Sequence, residues 1–196
     1  MDTARIRILD SARGAFADNG LIGASIADVS ADSRASVGSI YHHFEGKEGL
    51  AGAVYVAALR DFQQAFVAAV TRSDSPEDGV RRGVRAVVRW CLRDQSDAAR
   101  FLLTAADAAR GAAGAELGDA NREFFATVLA WWDDGVASGD LRALDLDLAH
   151  AIWLGPALEY CRLRLDGRAR SKPGRAEREL ADAAWSALGT REGDAS

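Results

Sequence analysis

The sequence predicts an all-α protein, with a three-helix head followed by a longer helical body, about nine helices in all. Three observations lead there. The 196 residues include only three prolines, and they are rich in Ala, Leu and Arg, which lose least on entering a helix. Apolar residues recur at helical spacing in one segment after another, and no stretch alternates as a strand does. Cap and stop residues fall between those segments. With 48% of residues hydrophobic, one or two compact units can bury a real core.

From Thr3 to Asn19, Ile6, Leu9, Ala12 and Phe16 share a face, and Asn19-Gly20 is a left-handed stop. Ser25-Ile26-Ala27-Asp28 reads as a capping box opening a helix of about eight residues that breaks at Arg34-Ala35. Ser36 caps a short third helix through Tyr41. A long helix follows from Lys47 to about Arg72. Ser75-Pro76-Glu77 combines a serine cap, a proline at the first position and an acid that suits the helix dipole. Its helix carries a stripe of Val80, Val84, Val87, Val88, Cys91 and Leu92.

Ser96-Asp97 begins another helix, with Phe101 to Leu103. Gly111 to Gly118 reads as loose, and a helix is expected from about Asp119 to Ser138. Asp145 is placed to cap a helix reaching about Asp166 whose apolar residues surround it, so burial on more than one side is expected. Pro173 opens the last helix, with Leu180, Ala183, Ala184, Ala187 and Leu188 as its apolar face.

Composition excludes several classes. No stretch approaches the roughly 20 apolar residues that span a bilayer, and no charged-then-apolar leader opens the chain, so the cytoplasm is the expected compartment. Cys91 and Cys161 are too few for a disulfide framework and lack metal spacing. No nucleophile elbow, phosphate loop, zinc signature or dinucleotide fingerprint occurs, so neither an enzyme nor a cofactor is expected. Adjacent His42 and His43 diverge on a helix and make a poor metal pair. Net charge is −5. Over residues 1–50 five cations face seven acids, so charge alone argues against nucleic acid.

The segment 24–50, ASIADVSADSRASVGSIYHHFEGKEGL, supplies the contrary argument. Two short helices joined by a tight turn can set the second into the major groove. The second helix contains Gly38, which costs about 1 kcal/mol in a helix interior relative to alanine, flanked by Ser36 and Ser39. That composition makes a thin face that lets backbone approach DNA while hydroxyls reach phosphates or base edges.

This segment, with ILDSARGAFADNG before it, resembles the DNA-binding region of the TetR (tetracycline repressor) family of transcriptional regulators. The resemblance covers about the first quarter of the chain. It implies a DNA-binding head over residues 1–46 and an effector-binding and dimerisation body over 47–196. It assigns DNA contact to Ser25, Ser36, Val37, Gly38, Ser39, Tyr41, His42 and Lys47, with Ile40 and Phe44 facing the head core. Two positions depart from the family pattern: Arg34 stands where a turn glycine is usual, and Val37 where a cation is usual.

The resemblance further implies a homodimer built from the last two helices, for which Leu158, Leu165, Leu180, Ala183, Ala184 and Ala187 are the candidates. It implies a small-molecule effector, here uncharged and apolar or aromatic, held among helices four to eight. Phe62, Phe66, Trp90, Phe101, Trp131 and Trp153 are the pocket candidates, although aromatic residues of this kind are more often core. Arg100, Asp107 and Glu159 orient a ligand or are merely solvated; His150 reads as a core or interface residue. A second reading is a dimeric ligand-binding module that has lost operator binding. Within the regulator class, activation is the alternative to repression.

Overall fold

The structure, a computed structural model, describes residues 3–104 and 106–190, which include nine α-helices and no strand. They are α1 Thr3–Gly23, α2 Ile26–Ser33, α3 Val37–Phe44, α4 Lys47–Thr71, α5 Pro76–Arg89, α6 Ser96–Thr104, α7 Ala106–Ala137, α8 Leu146–Leu165 and α9 Pro173–Leu188. A π-helical turn, Trp90–Asp94, follows α5. None of these helices is long and apolar enough to cross a membrane. The side chain of Asp107 lies outside the described residues.

The chain divides into two compact units, Met1–Asp61 with Gln95–Asn121, and Phe62–Asp94 with Arg122–Ser196. The first buries Ile8, Phe16, Val29, Ile40, Phe44 and Leu50 in one cluster. Phe16 stacks on Phe101 of α6 with ring centroids 5.5 Å apart, and Arg13 donates to the Gln95 side chain at 3.4 Å. Gly52 lies so close to α7 that an added Cβ would stand 2.8 Å from the Ala112 carbonyl oxygen, a backbone approach only glycine permits.

In the second unit the expected valine stripe of α5 is buried throughout. Gly83 on the same helix leaves room for the rings of Phe66 and Trp153. Arg142 N–H donates to Leu188 O at 2.9 Å, closing the end of α9 onto the α7–α8 connection. Cys91 and Cys161 are both buried. Their mutual hydrogen bond and burial push the Cys91 thiol far above its ordinary value, which makes it an inert packing group.

Three local expectations change. Gly20 takes the left-handed φ of 67°, as a stop residue does, yet helical bonding resumes beyond it and α1 ends at Gly23. Within the Gly111–Gly118 stretch only Gly114 (φ 51°, ψ −134°) leaves the helical conformation; the break is a one-residue kink with helix on both sides, back to Ala106, and not a loose segment ending near Asp119. Asp145 occupies the cap position of α8, but its side chain makes no capping bond.

Candidate functional site

Short-range hydrogen bonds build the head turn. Ser25 and Asp28 form the reciprocal capping box, Asp28 N–H donating to Ser25 Oγ at 3.1 Å and Ser25 N–H to Asp28 Oδ2 at 3.2 Å. Ser33 Oγ donates to Val29 O at 2.6 Å and Ser30 Oγ to Ala35 O at 2.7 Å, so hydroxyls hold the bend between α2 and α3. Buried Ser11 Oγ donates to Val29 O at 3.3 Å, tying α1 to the same carbonyl. Arg34 adopts φ 57°, ψ 26°, the left-handed conformation a glycine accepts more readily.

Ser36 caps α3, its Oγ accepting from Ser39 N–H at 3.1 Å. Ile40 and Phe44 are buried in the head core. Beside that buried stripe stand Val37, 46% exposed at the start of the helix, and Tyr41, 54% exposed. Gly38 and His42 are also exposed there, and Ser39 is half-buried. Val37 and Tyr41 stand four residues apart and so share one ridge. A Cβ on Gly38 would meet nothing closer than Ser36 Oγ at 3.9 Å. No packing within the chain therefore requires glycine at that position. Its missing side chain leaves a flat strip beside an exposed ridge, open to an external surface.

Lys47 lies at the start of α4, half-buried, with Nζ donating to Ile22 O at 3.1 Å. One of its three protons is thus spent on the last turn of α1, and two remain for an anion. A feature that the sequence reading missed is Arg5, whose guanidinium lies 5.3 Å from the Phe44 ring centroid. The His42 and His43 rings meet edge-on at 5.3 Å. Among the described residues no three His, Cys, Asp or Glu side chains are grouped to hold a metal.

In the second unit, Phe66 and Trp153 line an aromatic chamber with a cavity of about 20 Å³. That holds about one water molecule. Phe124, Val128 and Trp132, at successive i, i+4 positions on α7, form its other wall. Their spacing was the available sequence signal. Trp131 stacks on Trp153 at 5.4 Å and Phe62 meets Trp90 at 5.3 Å; Trp131, Phe62 and Trp90 do not line the chamber. Phe101 belongs to the first unit, against Phe16.

His150 is the chamber's titratable group, its ring 6.5 Å from that of Phe125. Partial burial lowers its pKa below the ordinary histidine value, so it is neutral near pH 7. Trp132 and Leu146 also line a surface groove of about 420 Å³ between the end of α7 and the start of α8.

Of the dimer candidates, Ala183 is exposed, while Leu158, Leu165, Leu180 and Ala187 are half-buried. Ala184 is a correction to the expected face: it is 5% exposed within the single chain. It follows Ala181 and precedes Leu188 on the inner stripe of α9, so its side chain faces its own protomer. Glu159 pairs with Arg162, Nη2 to Oε1 at 2.7 Å, on the outer side of α8.

Residues 8–54 match the family model described as bacterial regulatory proteins, tetR family. No curated protein sequence matches the chain. Solved structures do. A TetR family transcription regulator from Marinobacter aquaeolei VT8 is 20% identical, with 96% of each chain covered and a TM-score of 0.77. A tetR family regulatory protein from Rhodococcus RHA1 is 20% identical over 98% of this chain and 100% of its own, TM-score 0.73. The transcriptional regulator FadR from Bacillus subtilis, solved with stearoyl-CoA, is 13% identical over 92% of this chain and 97% of its own, TM-score 0.77. At these identities the likeness is one of fold.

Proposed function

We propose that this chain, a member of the TetR family of bacterial regulatory proteins through its residues 8–54, is a cytoplasmic repressor released from a palindromic operator by a small apolar or aromatic ligand. Residues 1–46 grip DNA, and residues 47–196 bind the effector and a second copy of the chain. Two heads address half-sites roughly 34–36 Å apart, about one turn of DNA. Ser36, Gly38, Ser39, Val37, Tyr41 and His42 meet the groove and its phosphates. Ser25 and Lys47 serve the flanking backbone, where α2 and α4 begin and unsatisfied amides favour an anion.

The observation that carries the reading is Gly38, the second residue of α3, with open space where its side chain would be. Gly38→Ala is expected to stabilise the chain by up to about 1 kcal/mol through helix propensity. It should also weaken binding to a duplex selected from random sequence by tenfold or more, because the added methyl stands between helix and DNA. Tyr41→Phe should weaken binding too, with the melting temperature unchanged. A Gly38→Ala protein that binds the selected duplex as tightly as wild type would overturn this docking.

The aromatic chamber, neutral at pH 7 and lined almost wholly by apolar groups, supports an uncharged ligand. Ligand sites run to roughly 300 Å³ or more, so ligand entry here must part the chamber walls, with the neighbouring groove as the route. An effector can shift the DNA-binding equilibrium only by its differential affinity for the two conformations.

The outward sides of α8 and α9 support pairing with a second copy. Ala183 is the residue for that test, since Ala184 is occupied inside the protomer. Ala183→Arg is expected to weaken dimerisation at least about 100-fold in sedimentation while leaving the fold intact, because an unpaired charge would be buried at the contact. A variant as dimeric as wild type would place the interface elsewhere.

A further inference from the structure

The chemistry of α3 restricts which bases it can read. Its eight residues, Val37–Phe44, include no Arg, Lys, Asn or Gln. Those side chains make the bidentate contacts that identify guanine and adenine in the major groove. Its exposed residues offer instead two valine methyls, a phenol, an imidazole and the bare backbone at Gly38. Val37 is the first residue of the helix, and the N-terminal residues of a recognition helix are those set against base edges. Its side chain is one of the few large apolar groups left exposed among the described residues. The only apolar feature on a base edge in the major groove is the C5-methyl of thymine.

On the DNA-binding reading above, we infer that Val37 reads the 5-methyl group of a thymine in each operator half-site. Val37 selects a T·A pair by methyl–methyl contact. Specificity at that base pair comes from apolar burial and not from a charge-assisted hydrogen bond, so it is insensitive to salt while the phosphate contacts are not.

The test uses the full chain and a duplex selected from random sequence. Each thymine is replaced in turn by deoxyuridine, which removes the methyl and leaves base pairing unchanged. At one position per half-site, wild type should lose about four-fold in affinity, the ~0.8 kcal/mol of one buried CH₂ group converted at 1.4 kcal/mol per decade. A duplex changed in both half-sites should lose about 15-fold. Val37→Ala, an exposed substitution that spares the fold, should bind the thymine and deoxyuridine duplexes equally.

If wild type binds the selected duplex but no thymine methyl matters, or if Val37→Ala keeps the full methyl dependence, the inference is overturned while the DNA-binding reading stands. Failure to select any duplex would overturn both.

Discussion

Trp153→Ala is expected to cost about 3–5 kcal/mol of stability, a melting shift on the order of 10 °C for a chain of this length. The indole is the hub of the aromatic cluster. Its ring lies 5.2 Å from Phe66, 5.4 Å from Trp131 and 5.9 Å from Trp132, centroid to centroid. Its Nε1 donates to Val80 O at 2.9 Å, so the same side chain fastens α8 to α5. Truncation removes ring contacts on several sides and leaves a cavity that the packed valines of α5 cannot fill. Trp153→Phe keeps an aromatic ring and forfeits the hydrogen bond, and should cost less. Denaturant unfolding of both variants measures the difference. A loss below about 1 kcal/mol for the alanine variant would mean that these rings form a loose ligand lining and not the core of their unit.

Gly49→Ala should damage the head more than any exposed substitution. A Cβ on Gly49 would fall inside the van der Waals envelope of the Phe44 carbonyl oxygen, and backbone cannot swing aside as a flexible side chain can. Relief requires moving the end of α3 relative to the start of α4. Those helices are joined by a tight turn in which Glu45 has φ 57° and Gly46 φ 113°. Overpacking of this kind costs typically 1–3 kcal/mol. It also displaces the face that carries Val37 and Tyr41, so DNA affinity should fall by tenfold or more. Gly38→Ala offers the contrast: both changes add one methyl to a glycine of the head. One meets backbone and should lower the melting temperature, whereas the other meets open space and should raise it. Equal melting behaviour would show that the α3–α4 turn has slack.

The aromatic chamber and the exposed ridge of α3 put different demands on their side chains. On the ridge, individual groups are exposed and act one at a time, so single substitutions leave the fold intact. In the chamber the candidate ligand-binding rings also hold the unit together, and binding there competes with packing. A ligand that parts Phe124 and Trp153 must replace the contacts it breaks. That makes the second unit's stability the quantity to measure alongside any effector response.

Local chemistry was legible in the sequence. Ser25 and Asp28, Ser36, and Ser75 with Pro76 mark helix starts because their caps involve residues within one turn. The valine stripe of α5 declares its buried side by spacing alone. The thin face of α3 was likewise readable, since Gly38, Ser36 and Tyr41 are close in sequence and their exposure follows from the burial of Ile40 and Phe44.

What the sequence left open depends on partners far along the chain. Lys47 is engaged by a carbonyl 25 positions away. Gly114 interrupts α7 at a single non-helical residue, with helix on both sides of the kink. Phe101 and Phe66 are both aromatic residues on amphipathic helices, yet one stacks on Phe16 and the other lines the chamber. Ala183 and Ala184 are adjacent small residues, and one helical step of about 100° turns the second inward. Spacing within a helix defines its apolar stripe; which neighbour covers each side of that stripe is decided by long-range packing, and only the tertiary structure supplies it.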